Sequence, residues 1–127
     1  MQVKEIMKKV ITASPKLTVK EVAKLMSDKG IGSVVIIQNS KIVGIVTERD
    51  ILKHFSSLSR QNLTIEKIMS KDVKTIDARA TINEAATIMS ENKIKRLPVV
   101  EKGKLVGIVT ATDLIAHSEY FDEPFLF

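Results

Sequence analysis

Two short stretches of the sequence place a hydroxyl and a carboxylate at the same spacing. Thr47 is followed three residues later by Asp50, and Thr110 is followed in the same way by Asp113. If each threonine ends a strand and each aspartate opens a helix, both side chains lie beside unpaired backbone amides. Such amides and the helix dipole favour a bound phosphate. An ionised carboxylate also accepts hydrogen bonds from two neighbouring hydroxyls, so the arrangement suits a ribose phosphate.

The competing interpretation is that both pairs only cap helices. Threonine is a preferred N-cap residue, and an acidic residue three positions later can complete a capping box. A single Thr-x-x-Asp motif would favour that interpretation. The seven-residue stretch around it occurs twice, however, over residues 44–50 and 107–113. This repetition favours binding.

These stretches belong to an internal repeat. Residues 41–47 return as residues 104–110, a shift of 63 positions, and further matches continue in the same register on both sides. Such self-similarity is typical of a duplicated structural unit. We therefore divide the chain into a first repeat over residues 1–62 and a second repeat with a C-terminal tail over residues 63–127.

Each repeat predicts the order strand, helix, strand, strand, helix, which places the chain in the α/β (α+β) class. The first helices are predicted to follow Thr18 and Thr81, because each threonine precedes a capping-box glutamate. Apolar residues at i, i+3, i+4 and i+7 then indicate one buried helix face. Short first strands are expected at residues 10–12 and 73–75, hairpin turns at 39–40 and 102–103, and second helices at about 50–55 and 112–119.

The composition argues against several classes of function. The chain has no cysteine and only two histidines, so a thiolate nucleophile and a Cys- or His-rich metal site are excluded. No phosphate-binding glycine loop or Ser-His-Asp arrangement is present, and we expect neither catalytic residues nor a metal. No apolar run approaches the ~20 residues of a membrane span, so a cytoplasmic location is expected. The net charge of +5 favours anionic ligands, whereas aromatic residues at 4% argue against single-strand base stacking.

The C-terminal tail, residues 119–127, carries most of the aromatic residues of the chain. We expect it to dock on the body of the protein or on another subunit.

The duplicated junction, within a unit of this element order, resembles the cystathionine-β-synthase-type (CBS) domain, two of which form a Bateman module. The resemblance covers roughly residues 6–55 and 68–118, and it rests on the pattern Gly-apolar-apolar-Thr-x-x-Asp in both copies. The helix opening Thr-apolar-x-Glu-Ala at residues 81–85 also matches. The family implies two repeats related by a pseudo-twofold axis, with an adenine nucleotide in the cleft between them.

The resemblance implies a role for each matching position. The junction aspartates would bind the ribose diol, and the junction hydroxyls and nearby basic residues would contact the phosphate. The implied ribose residues are Asp50 and Asp113, and the implied phosphate residues are Thr47, Thr110, Thr112, Arg49 and Arg96. Arg49 stands where the second repeat has Thr112, so it meets a phosphate or points to solvent. Arg96 has the same two alternatives. Its guanidinium can bind phosphate through two hydrogen bonds, or the residue can lie at a solvated strand end.

The adenine is implied to lie between the short first strand and the start of the second strand. The implied pocket residues are Ile11, Thr12, Ile31, Gly32, Val73, Thr75, Ile94 and Lys95. In this family each cleft is built from both repeats, so Asp50 would share a site with residues 94–95 and Asp113 with residues 31–32.

The resulting hypothesis is a regulatory module, not an enzyme, that senses an adenine nucleotide. The ligand would be AMP, ADP, ATP or an adenosyl compound such as S-adenosylmethionine, and no resident cofactor is expected. Regulation would act through a homodimer or on a partner protein in trans. One alternative is an interaction scaffold with empty clefts, against which the intact junctions weigh. The other is a nucleic-acid-binding protein that uses its basic surface.

Overall fold

The computed structural model of the chain describes residues 1–56 and 63–121, which belong to two compact units. The continuous unit is Ile11–Val73. The composite unit combines Met1–Val10 with Lys74–Phe127. Within the described ranges, no helix has both the length and the apolar character needed to cross a membrane.

The continuous unit contains one three-stranded sheet. Its elements are β1 (Thr12–Ala13), α1 (Val19–Lys29), β2 (Ser33–Gln38), β3 (Lys41–Thr47), α2 (Glu48–Lys53) and a 3-10 turn at Ile65–Lys67. Strand β2 lies in the centre, parallel to β1 and antiparallel to β3. The predicted order of strand, helix, strand, strand, helix is confirmed.

The composite unit repeats this topology. Its elements are a 3-10 turn at Val3–Glu5, β4 (Ile76–Asp77), α3 (Ile82–Asn92), β5 (Arg96–Glu101), β6 (Lys104–Thr110), α4 (Ala111–Ala116) and a 3-10 turn at Ser118–Tyr120. Strand β5 is central, parallel to β4 and antiparallel to β6. The mixed α/β class is therefore confirmed in both units.

Helices α1 and α3 begin where the sequence predicts. The Thr18 hydroxyl accepts from the Glu21 amide at 3.1 Å, and the Thr81 hydroxyl accepts from the Glu84 amide at 3.1 Å. In both cases the glutamate carboxylate accepts from the threonine amide in return. The predicted apolar face of each helix is buried in the core of its own unit, through Val19, Val22 and Met26 in α1 and through Ile82, Ala85 and Met89 in α3.

The hairpin turns are also confirmed, and they reverse the chain with left-handed backbone. Asn39 and Ser40 have φ values of 53° and 63°, and Lys102 and Gly103 have φ values of 51° and 77°. Two consecutive residues with positive φ are the signature of the tight turn that matches the natural twist of two antiparallel strands.

The compact units do not follow the two sequence repeats. Residues 1–10 belong to the first sequence repeat, yet Lys8 exchanges two backbone hydrogen bonds with Ile108 of β6 in the second, at 2.8 and 3.0 Å. Ser70 pairs with Ile45 of β3 in the same way, at 2.9 and 3.0 Å. The division at residues 62 and 63 therefore describes the duplicated sequence, whereas packing divides the chain near residues 10 and 73.

A glycine in each outer strand accommodates the added segment. A Cβ on Gly107 would lie 2.7 Å from the Met7 sulfur and 3.0 Å from the Lys8 carbonyl oxygen. A Cβ on Gly44 would lie 2.8 Å from the Met69 Cγ and 3.1 Å from the Ser70 carbonyl oxygen. The close approach of backbone explains why the repeated motif contains glycine at this position.

Of the C-terminal tail, which is predicted to dock on the body of the protein or on another subunit, the structure describes residues 119–121. Phe121 packs against the core of the composite unit, while Tyr120 is exposed. The rest of the tail, residues 122–127, lies outside the described residues.

Candidate functional site

The junction between β3 and α2 is a reciprocal capping box. The Thr47 hydroxyl accepts from the Asp50 amide at 3.3 Å, and Asp50 Oδ2 accepts from the Thr47 amide at 2.8 Å. The same carboxylate oxygen accepts from the Thr47 hydroxyl at 3.2 Å. Helix α2 therefore begins at Glu48, two residues before the predicted start, because Thr47 and not a later residue is the N-cap.

The junction between β6 and α4 has the same geometry. The Thr110 hydroxyl accepts from the Asp113 amide at 3.2 Å, and Asp113 Oδ2 accepts from the Thr110 amide at 2.9 Å and from its hydroxyl at 3.0 Å. Asp113 is buried, with 8% of its surface exposed, while Asp50 is half-buried. Helix α4 begins at Ala111 and ends at Ala116, earlier than predicted, and a 3-10 turn follows.

Capping therefore uses one oxygen of each carboxylate. Among the described residues, no hydrogen bond to Oδ1 of Asp50 or of Asp113 is present. A carboxylate has capacity for about four hydrogen bonds, so capping and diol binding do not exclude each other. The threonine hydroxyls, in contrast, have no second proton to donate, because each already donates its proton to its aspartate. A phosphate could receive that proton only if the hydroxyl turned away from the carboxylate.

The start of the central strand lies against each junction. The Glu48 amide donates to the Gly32 carbonyl at 3.1 Å, and the Ala111 amide donates to the Lys95 carbonyl at 2.8 Å. Two of the amides that the sequence suggested as phosphate donors, those of Glu48 and Asp50, are thus already bonded. The hydrogen bonds also bring the expected pocket segments 31–32 and 94–95 next to the junction of their own unit.

The first strand approaches the same edge of the sheet in the continuous unit. The Val35 amide donates to the Ile11 carbonyl at 3.1 Å, and Thr12 pairs with Val35. Since Ser33 pairs with Thr47, the start of β1, the start of β2 and the end of β3 meet at one edge. Ile11, Thr12, Ile31 and Gly32 are brought together here with the Thr47–Asp50 junction.

The first strand of the composite unit starts one position later in the repeat. The residue equivalent to Val35 is Pro98, which has no N–H to donate. Pairing therefore begins at Ile76, opposite Val99, and the strands expected at 10–12 and 73–75 are found at Thr12–Ala13 and Ile76–Asp77. Thr75 immediately precedes β4 and is exposed. Val73 is the last residue of the continuous unit, so it is not grouped with Thr75.

The remaining predicted residues have different surroundings. Ile31 and Ile94 both pack against the apolar core of their own unit, and the Lys95 side chain is exposed. Arg49 and Thr112 are exposed on the first turns of α2 and α4.

Arg96 is half-buried and lies directly opposite Thr110 in the strand pairing. The equivalent partner of Thr47 is Ser33, which the expected set of site residues left out. The shift of 63 positions, which aligns Ser33 with Arg96, is the sequence signal that identifies it.

The histidine at the end of α4 contacts the backbone of its own helix. The His117 Nδ1 atom lies 2.9 Å from the Asp113 backbone carbonyl, so it contacts the helix and not the carboxylate. Within residues 1–56 and 63–121, no group of three or more His, Cys, Asp or Glu side chains is arranged to hold a metal ion.

Comparison with known proteins identifies the family. The family model for the CBS domain matches residues 3–57 and again residues 65–120. Inosine-5'-monophosphate dehydrogenase from Korarchaeum cryptofilum is 43% identical over 110 residues, which is 86% of this chain and 22% of that enzyme. The chain thus spans about a fifth of the length of that relative. The CBS domain-containing protein YhcV from Bacillus subtilis is 32% identical over 83% of this chain and 76% of its own length.

A solved structure extends the comparison to a ligand. The CBS domain pair of protein MJ0100, in complex with 5'-methylthioadenosine and S-adenosyl-L-methionine, superposes with a TM-score of 0.82 at 34% identity. The match covers 92% of this chain and 94% of that one.

Proposed function

We propose that this chain, which belongs to the CBS domain family, is a regulatory module that binds an adenine nucleotide or a related adenosyl compound. The observation that carries the proposal is the duplicated junction, in which an aspartate caps a helix through Oδ2 and, among the described residues, Oδ1 accepts no hydrogen bond. The adenosyl ligands of the related MJ0100 pair support the same ligand class. We propose that the chain binds this ligand without catalysing a reaction and that it is located in the cytoplasm.

The assignment of residues follows the sequence prediction. Asp50 and Asp113 bind the ribose diol through Oδ1, and the predicted pocket segments hold the adenine through backbone groups and apolar side chains. Thr112 is better suited than Thr110 to contact a phosphate, because it is exposed and Thr110 already donates to Asp113.

The experiment that tests the proposal is isothermal titration of the protein with AMP, ATP and S-adenosylmethionine. We expect binding in the micromolar range, which corresponds to about −8 kcal/mol. The double variant Asp50→Ala/Asp113→Ala should lose binding, and each single variant should weaken binding about ten- to a hundredfold, since a charge-assisted hydrogen bond is removed.

The matched control is Asp28→Ala, which removes an exposed carboxylate that pairs with Lys24 on the surface of α1. It should bind as the wild type does. Normal binding by the double junction variant would show that the residue assignment is wrong. If none of the three compounds gives heat of binding or thermal stabilisation, the proposed ligand-binding function is wrong. That result would favour the scaffold or nucleic-acid alternatives.

We also propose that the regulatory module is a homodimer that associates through α2 and α4. Leu52 of α2 is 72% exposed, and Phe55, which follows the helix, is 70% exposed. No residue of α2 is fully buried. In α4, Ile115 occupies the position equivalent to Leu52 and is 51% exposed. Large apolar side chains exposed at equivalent positions of both repeats favour an interface with a second copy.

Light scattering after size-exclusion chromatography tests the dimer. The wild type should run as a dimer, and Leu52→Lys/Ile115→Lys should run as a monomer with an unchanged circular dichroism spectrum. Lys53→Ser, a change at an exposed polar position of the same helix, should leave the dimer intact. A monomeric wild type would contradict the proposal.

A further inference from the structure

The chain contains five methionines and no cysteine, so all of its sulfur is in thioether side chains. The methionines have three different surroundings. Met26 and Met89 lie in the cores of the two units, with 5% and 6% of their surface exposed. Met1 is 39% exposed. Met7 and Met69 are half-buried and occupy equivalent positions in the two repeats.

Met7 lies against the backbone of β6. Its sulfur and its Cγ are 2.7 and 3.0 Å from the point where a Cβ on Gly107 would stand. The side chain also packs against the apolar core of the composite unit. The next residue, Lys8, exchanges two backbone hydrogen bonds with Ile108 of the same strand. Met7 therefore packs directly beside the pairing that joins residues 1–10 to β6.

Met69 has the same surroundings on β3. Its sulfur and its Cγ occupy the space that a side chain on Gly44 would need, with the Cγ 2.8 Å from the Cβ position. It packs against the core of the continuous unit, and the next residue, Ser70, exchanges two backbone hydrogen bonds with Ile45. Each strand edge is thus covered by a thioether on a glycine and by one pair of backbone hydrogen bonds.

A sulfoxide does not fit between these groups. When a peroxide oxidises a thioether, an S–O bond forms, the O–O bond breaks, and the second oxygen takes up the proton and leaves as water. Sulfur loses two electrons to the peroxide and becomes polar. On the glycine side, the strand backbone leaves no room for the added oxygen. On the core side, the oxygen would be buried among apolar side chains, which costs free energy.

We infer that Met7 and Met69 are modification sites for peroxide, and that their sulfoxides release residues 7–8 from β6 and residues 69–70 from β3. Their partial exposure lets peroxide reach them before Met26 and Met89. Methionine sulfoxide is reduced back to methionine by two dedicated reductases, one for each epimer. The two sites therefore form a reversible redox switch in a chain that has no cysteine.

The released pairs are close in sequence to the candidate site. Ile45 lies two residues before Thr47 in β3, and Ile108 lies two residues before Thr110 in β6. A strand that has lost its edge contact holds the following junction less firmly, so oxidation should weaken ligand binding. This last consequence rests on the proposed adenosyl-binding function, whereas the oxidation and the release do not.

The order of oxidation is tested by treating the whole protein with increasing hydrogen peroxide and locating the added oxygen by peptide mass spectrometry. Met7 and Met69 should be oxidised well before Met26 and Met89. Equal oxidation of all four residues at every peroxide concentration would overturn the inference, because the half-buried sulfurs would then not be selected.

The release is tested by hydrogen exchange on the oxidised protein. Exchange should rise at the Ile45 and Ile108 amides, which donate to the carbonyls of Ser70 and Lys8. The melting temperature should fall by about 4 °C or more, and treatment with the two sulfoxide reductases should restore both values. Unchanged exchange at both amides in a fully oxidised sample would overturn the release.

A pair of matched variants assigns the effect to its residues. Met7→Leu/Met69→Leu conserves side-chain volume, and peroxide should no longer change its hydrogen exchange or its melting temperature. The control Met26→Leu/Met89→Leu keeps the same number of methionines and should respond to peroxide as the wild type does. Equal responses of the two variants would overturn the inference, because oxidation of Met1 or general damage would explain them.

Isothermal titration with AMP, ATP and S-adenosylmethionine, before and after oxidation, separates this inference from the proposed function. Oxidation should weaken binding by about fivefold or more, the lower end of typical coupling between two sites. If the untreated protein binds none of the three compounds, the adenosyl-binding function is wrong, and hydrogen exchange still decides the oxidation sites. If oxidation releases both strand edges but leaves the affinity unchanged, only the coupling to the ligand is wrong.

Discussion

At the end of β3, the Thr47 amide donates to Asp50 at 2.8 Å, and at the end of β6, the Thr110 amide donates to Asp113 at 2.9 Å. The hydrogen bonds of the two junctions agree, while the residues opposite the threonines are Ser33 in one and Arg96 in the other. The two repeats therefore share the backbone hydrogen bonds of the junction and differ in the charge of the side chain opposite the threonine.

Gly44 and Gly107 occupy equivalent positions in the outer strands of the two repeats. Replacing either glycine should have the largest effect on the stability of the protein. Gly107→Val and Gly44→Val should each destabilise the protein by about 1–3 kcal/mol or more, because overpacking against a backbone carbonyl is not relieved by rotating a side chain. Urea denaturation measures the loss. Hydrogen exchange should rise at Lys8 and Ile108 for Gly107→Val.

The control for the glycine variants is Lys104→Val, which adds the same side chain at an exposed position of β6. It should stay within about 0.5 kcal/mol of the wild type, as is usual for surface changes. Equal stability of Gly107→Val and Lys104→Val would show that the Met7–Lys8 segment does not pack as described.

The capping threonines are the next shared feature. Thr47→Val and Thr110→Val keep the side-chain shape but remove the hydroxyl that accepts from the aspartate amide, so each should cost about 0.5–2 kcal/mol of unfolding free energy. Thr112→Val, at an exposed site without a capping bond, should cost much less. Similar losses for Thr112→Val and Thr110→Val in urea denaturation would contradict the capping role.

The smallest effect concerns a difference between the repeats. The C-cap residue of α1 is Gly30, with φ of 64°, and the C-cap residue of α3 is Lys93, with φ of 53°. Lys93→Gly should relieve about 1–2 kcal/mol of left-handed strain and lose about 0.5–1 kcal/mol to the entropy of the unfolded chain. The net gain is a few tenths to about 1 kcal/mol.

Thermal unfolding of two reciprocal variants measures this difference between the helix ends. Lys93→Gly should raise the melting temperature and Gly30→Lys should lower it, because the two helix ends share one backbone conformation. A fall in the melting temperature of Lys93→Gly would mean that the lysine side chain contributes contacts that outweigh its backbone strain.

Much of the fold could be predicted because its signals are local. The capping boxes at Thr18 and Thr81, the hairpin turns and the apolar helix faces depend on residues a few positions apart. The short strands at 10–12 and 73–75 were placed slightly too early. For β4 the reason is a distant residue, because Pro98 cannot donate the hydrogen bond that Val35 gives.

The residues of the candidate site could be predicted from a sequence motif, but their hydrogen bonds could not. Thr47 and Asp50 were identified from their spacing, yet the spacing could not show that the hydroxyl is turned to the carboxylate. Nor could it show that Glu48 is bonded to Gly32, because that contact joins segments sixteen positions apart. The roles of all these residues toward a ligand stay predictions.

The duplication, the element order, the helix caps and the identity of the junction residues can all be read from the amino-acid sequence, since each follows from local spacing or from comparing one repeat with the other. The structure shows in addition that residues 1–10 belong to the compact unit of the second repeat, where Lys8 pairs with Ile108, and that Ser70 pairs with Ile45 of β3. It also decided which residue faces Thr110. The physical reason is that strand pairing and close backbone packing join residues far apart in the chain, and no local pattern encodes the partner.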